Sequence, residues 1–209
     1  MKGLIMKDLL IIKSNLKLVS VIYIVFFIMA ISGEIELSFV PALISVMLFM
    51  STFSYDEYNK WDAFAITLPN GRHSLVAAKY LATLILITIS IIITIILNII
   101  VGLINNNLDF ENILSTMTGC FFGIILVETI IYPFIFKYGI EKGRIGLFIG
   151  SFALVALISL IFKTSSINIP TNIVNFFESF WYIILPIIFI TFLYLSYRIS
   201  NKIYLKKEF

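Results

Sequence analysis

The chain is poor in the residues that most enzyme chemistries depend on. It holds one cysteine, Cys120, and one histidine, His73, among 209 residues. A lone thiol excludes an internal disulfide and a cysteine metal cluster, and a lone imidazole removes most zinc and serine-hydrolase constellations, so no catalytic or metal-ligating set is expected. Charge is scarce as well: Asp, Glu, Lys and Arg make up 13% of the chain, where a soluble domain carries about 25%. No Gly-x-x-x-x-Gly-Lys-Ser/Thr run occurs, so the chain has no phosphate loop with which to hydrolyse ATP. The opening MKGLIMKDLL does not run from a basic segment into a small-residue cleavage site, and no removable signal peptide is expected.

What is present is apolar, at 60% of the residues. A helix needs roughly 20 predominantly apolar residues to cross the hydrocarbon of a bilayer. Six stretches qualify, some of them short: Leu16 to Ser32, Leu37 to Phe53, Leu81 to Ile104, Leu114 to Phe136, Ile145 to Phe162 and Phe180 to Tyr197. The expected fold is therefore all-α and integral to the membrane, with residues 1–209 as one transmembrane domain and lipid as a partner. Of the 15 Lys and Arg residues, all but Lys163 fall on one side if the N-terminus is cytoplasmic. Because cytoplasmic loops concentrate Lys and Arg, both termini are expected inside. The net charge of +3 is explained by that loop bias and gives no reason to expect nucleic acid.

The longest polar interruption runs from Tyr55 to Tyr80 within a loop spanning residues 54–80, and the chain is organised around it. Asp56 and Lys60 are four apart, acid first, the favourable order for a helical ion pair. Trp61, Phe64, Ala65 and Leu68 follow i, i+3, i+4, i+7 spacing, which gives a short helix one apolar face. Pro69, Asn70 and Gly71 then break it. The bland interpretation places Trp61 and Phe64 in the headgroup belt. The sharper one sets this face in a groove of a partner protein, making the loop a transmission element that receives force at the inner surface.

Residues 1–17 read as an interfacial helix. Ile5, Leu9, Ile12 and Leu16 make an apolar stripe, with Lys2, Lys13 and Lys17 beside it to reach headgroups. Gly119 and Gly123 form a small-xxx-small pair suited to close helix approach. Glu128 is the one ionisable residue well inside a span. An intramembrane carboxylate is costly and marks a functional site by default, although a hydrogen-bonded structural role accounts for it equally. Pro133 suggests a hinge beside it, and Gly139 and Gly143 permit a tight reversal. In residues 163–179, after Pro170, Ile173, Phe176, Phe177 and Phe180 predict a short outer interfacial helix before the last span.

Four segments together resemble the small six-span permease subunits of bacterial ABC exporters of the second permease class. They are MKGLIMKDLL, the two-span hairpin, YDEYNKWDAFAITLPNGRHSLVAAKYL and PFIFKYGIEKGR. Among these the chain is similar to the membrane subunits of the phenol-soluble modulin exporter and its relatives. The resemblance covers essentially the full length. It implies a half-channel in a bacterial plasma membrane, paired with a second permease copy or paralogue. It also implies two separate ATPase subunits, which would hold the ATP and Mg2+ while this chain binds no cofactor.

The resemblance further implies an elbow role for residues 1–17 (Lys2, Ile5, Leu9, Ile12, Lys13). ATPase coupling falls to Asp56, Glu57, Lys60, Trp61, Phe64, Leu68 and Arg72, and Glu128, Pro133, Gly119 and Gly123 remain pathway or hinge candidates. The expected cargo is an amphipathic or hydrophobic peptide. Two rival functions stay open: a proton-coupled efflux carrier using Glu128, and a membrane immunity protein that sequesters a peptide.

Overall fold

The computed structural model describes residues 2–33, 35–67, 71–146, 149 and 171–206, and for residues 62, 66, 72 and 171–185 the backbone alone. Among these residues the chain is helical with no strand. This is what a bilayer demands, since helices satisfy every main-chain polar group within one segment. The elements are α1 (Lys2–Ser14), α2 (Leu16–Ile31), a 3-10 turn (Leu37–Phe39), α3 (Val40–Tyr58), α4 (Trp61–Ile66), α5 (Gly71–Ile104), α6 (Phe110–Tyr138) and α7 (Thr171–Leu205).

Three helical segments among the described residues are long and apolar enough to cross a membrane: Leu37–Tyr58, His73–Ile104 and Phe110–Tyr138. A fourth is reached if α1 and α2, which meet at an angle of 54°, count as one broken span. Most of the fifth expected stretch, Ile145 to Phe162, lies outside the described residues. The separate outer helix expected within residues 163–179 is not found: from Thr171 onward that segment is continuous with the last expected span, in one helix of 35 residues. Its physical reason is local, because no glycine or proline interrupts the sequence from Thr171 until Pro186.

α5 shows which positions decide the inside of such a bundle. Ile85, Ile89, Ile92 and Ile96 recur at helical spacing, and all four are exposed. The face buried against the other helices carries Lys79, Thr83, Ser90 and Thr94 together with Leu86, Ile87 and Ile91. Lipid tails are as apolar as isoleucine, so the isoleucine stripe gains little by turning inward, whereas hydroxyls gain partners there. Tyr23 of α2 uses this face: its hydroxyl lies 3.0 Å from the Ser90 carbonyl oxygen and 3.3 Å from Thr94 Oγ1.

Pro133 lies within α6, which runs on through it as a single helix. Proline has no N–H to give, so the carbonyl four residues earlier, at Thr129, loses its helical donor. The Ser196 hydroxyl of α7 donates to that oxygen at 2.6 Å. Ser196 Oγ also lies 2.7 Å from the Tyr80 hydroxyl, and Ser200 Oγ lies 2.9 Å from it on the other side. Each hydroxyl carries one proton, so the order of donation is Ser200 to Tyr80 to Ser196 to the Thr129 carbonyl. The proline thus opens an acceptor that joins α5, α6 and α7.

Candidate functional site

The polar chemistry gathers at the end of the bundle formed by α1, the last turn of α3, α4 and the first turns of α5. At its centre are four ionised side chains. Lys79 Nζ lies 3.0 Å from Asp8 Oδ1 and 2.7 Å from Asp56 Oδ2. The second contact is an ion pair off the direction of a hydrogen bond. Lys7 Nζ lies 3.1 Å from Asp8 Oδ1 and also bonds Asp56 Oδ1. Each cation therefore bridges both anions in a closed, neutral ring. Asp8 and Lys79 are 2% and 1% exposed, an expensive burial that only such mutual neutralisation permits.

An aromatic ring covers each cation. The Trp61 ring lies 4.8 Å from Lys7 Nζ and the Phe53 ring 4.7 Å from Lys79 Nζ, distances at which the negative ring face attracts a cation. Trp61 packs in turn on Phe64, with centroids 5.0 Å apart. One place thus fixes α1, α3, α4 and α5 together.

The sequence pattern expected Asp56 to pair with Lys60. Asp56 instead turns into the ring, and Lys60 is exposed at the break between α3 and α4, with φ of 49°. The pairing fails because Lys60 has left the helix: its backbone is left-handed, so the four-residue spacing no longer brings the two side chains onto one face. The stripe expected to face the membrane interface from α1 is not the face that α1 buries against the protein. Leu4 and Asp8 are its buried positions, Ile5, Leu9 and Ile12 are half-buried, and Leu16 is half exposed. Two contacts between helices, Lys79 with Asp8 and Lys7 with Asp56, hold this face of α1 against α5 and α3.

Glu57 reaches the other way. Its carboxylate accepts the Ile140 N–H at 2.8 Å, clasping the end of α3 to the start of the helical turn formed by residues 140–146. Gly139 precedes that turn at φ of 85°, and a Cβ there would meet Glu57 Oε1 at 3.3 Å. The site tolerates only glycine without strain. Gly139→Ala is expected to cost about 1–3 kcal/mol through its backbone conformation, read as a lower midpoint of thermal unfolding in detergent, whereas Gly143→Ala would instead press on Ile135.

Around this buried centre stands a rim of exposed aromatic side chains, Tyr55, Tyr58, Phe64 and Tyr138, of which Tyr58 is 87% exposed. A cavity of about 490 Å³ opens between Tyr55, Tyr58, Glu57, Ile140 and Arg144, and Arg144 Nη2 donates to Ser54 Oγ at 2.8 Å. Leu68 lies outside the described residues, as does the side chain of Arg72. Lys2 and Lys13 are exposed on α1.

Glu128 sits deeper, 3% exposed, beside Thr83 and Tyr132. Thr83 gives its proton to the main chain of α5, and neither Glu128 Oε1 nor the Tyr132 hydroxyl completes a hydrogen bond among the described residues. A Cβ on Gly119 or Gly123 would meet nothing within 4 Å. Their small-residue stripe is thus not used for a close helix contact among the described residues.

Sequence reasoning missed Asp8 and the ring that it completes. A signal existed, since Asp8 is the one acidic residue among the four lysines of residues 1–17.

No curated protein and no solved structure matches the chain. A family of known sequences does: the description "ABC-2 family transporter protein" matches residues 3–205, nearly the entire chain. The apolar helices, the absence of a phosphate loop and this match agree, and the chain belongs to the ABC-2 transporter family as a membrane permease subunit of an ABC transporter.

Proposed function

We propose that the chain is one half of an ATP-driven exporter, and that its charged end faces the cytoplasm and receives the ATPase through α4. The observation that carries this reading is the rim of Tyr55, Tyr58, Phe64 and Tyr138 around the ring and the Glu57 clasp. Exposed aromatic side chains at one end of the bundle favour a protein contact, and Phe64 among them rests on Trp61, whose ring covers Lys7 of α1. A push on α4 is thereby applied to several helices at once. The elbow is α1, bent against α2, and the chain pairs with a second permease copy or paralogue. The cargo is an amphipathic or hydrophobic peptide, suited to walls of Ile, Leu and Phe.

The test is co-expression with the ABC ATPase subunits of the same transporter. Phe64→Asp is expected to leave insertion unchanged while lowering ATPase association by about 10-fold or more, the loss typical of a central aromatic anchor. Full association of this variant removes the coupling role from α4. A carrier built on Glu128 predicts another pattern: Glu128→Gln and an uncoupler would each abolish transport at constant ATP, with Phe64→Asp silent.

A further inference from the structure

We infer that Trp61 is a transmitting residue and not a docking one, and that with the four-charge ring it makes α1 move as a unit with α4. The inference rests on the coupling role just proposed for α4. Trp61 and Phe64 lie three residues apart on the same short helix, but their surroundings differ. Phe64 is 53% exposed. Trp61 is half-buried against the main core, its indole nitrogen is buried without a partner among the described residues, and its ring covers Lys7. The two rings touch, so a load on Phe64 passes first to Trp61 and from there to an ionised side chain of α1.

The closed ring gives that load a direction. Lys7 holds Asp8 of its own helix and Asp56 of α3, and Lys79 of α5 holds the same two carboxylates. Displacing Lys7 alone would leave two buried carboxylates facing one cation, so the ring hands a load on Trp61 to α1 and, through Asp56 and Lys79, to the ends of α3 and α5 packed with it. Held to α3 and α5 by the ring, α1 can shift only together with their ends. It joins α2 at Asn15 with a 54° bend, and Asn15 Nδ2 bonds Ser51 Oγ of α3 at 3.0 Å. The bend at Asn15 is therefore where this joined unit flexes against α2, and Trp61 with Lys7 is the arm that loads it.

The complex with its ABC ATPase separates this from a plain packing role. Trp61→Ala is expected to keep ATPase association within about twofold and to lower substrate-stimulated hydrolysis about tenfold, in the range of a typical coupling free energy. Trp61→Phe, which keeps a ring face over Lys7, restores stimulation. Lys7→Met reproduces the Trp61→Ala phenotype, Lys7→Arg does not, and the double variant Trp61→Ala with Lys7→Met is no worse than either single one.

Trp61→Leu serves in place of Trp61→Ala if the smaller side chain lowers the yield of folded protein. Loss of association by Trp61→Ala equal to that of Phe64→Asp would make Trp61 a docking residue and overturn the inference. Full stimulation in Trp61→Ala, or strictly additive effects in the double variant, would overturn it too. If the unaltered chain associates with no ABC ATPase, it is the proposed function that fails.

Discussion

Lys79→Met destabilises the protein by about 3–5 kcal/mol, the usual consequence of taking one member out of a buried ion pair. Lys79 is 1% exposed and faces Asp8 and Asp56 at 3.0 and 2.7 Å, with the Phe53 ring over its ammonium group. Without it, two buried carboxylates share the single charge of Lys7. The penalty comes from the stranded anion, and not from the loss of a strong attraction.

A double-mutant cycle tests that account. Asp8→Asn alone strands a cation, but Lys79→Met with Asp8→Asn leaves Lys7 and Asp56 as a neutral pair that the structure already joins. The double variant is therefore expected to be more stable than the sum of the single losses by about 1–3 kcal/mol. Unfolding midpoints in a fixed detergent, for all four proteins, give the comparison. Additive losses would mean that Lys79 and Asp8 contribute separately, and the ring would then be four neighbours without mutual dependence.

How far the sequence announces this site depends on whether a signal is local. The apolar runs and the short α4 helix are visible in one dimension because each arises from residues a few positions apart, whereas the left-handed break at Lys60 carries no glycine or proline to announce it. The reversal at Gly139 is legible, since a residue without Cβ marks a backbone that others avoid. The contacts that give the site its character join distant positions. Glu57 meets Ile140 across 83 residues and Lys79 meets Asp8 across 71, and no spacing rule reaches that far. Pro133 is an intermediate case: the sequence tells that the Thr129 carbonyl is freed and suggests a bend, but only the packing of α7 shows that Ser196 takes it. Which face of α1 turns to the protein is likewise settled by distant partners, Lys79 for Asp8 and Asp56 for Lys7, and not by the local apolar stripe.

Tyr132→Ala and Tyr132→Phe are expected to part company by several kcal/mol. Tyr132 is wholly buried at the meeting point of α3, α5 and α6. Phe49, Phe53 and Tyr80 pack edge-on to it, with centroids 5.7, 5.5 and 4.6 Å away, and Phe136 lies at 6.4 Å. Removing the ring leaves a cavity among rigid neighbours, at a cost of about 3–5 kcal/mol, and it loosens Tyr80, which holds α7 through Ser196 and Ser200. Removing only the hydroxyl is another matter. That oxygen is buried without a hydrogen-bond partner among the described residues, and a buried polar atom that makes no bond costs stability. Tyr132→Phe is thus expected to match or slightly exceed the parent in thermal unfolding, with transport unchanged. A loss of about 1–3 kcal/mol in Tyr132→Phe would be the signature of a satisfied hydroxyl. The partner at hand is then Thr83, with Glu128 beside it, and the three would have to be treated as one intramembrane polar unit, tested by whether Thr83→Val abolishes the loss.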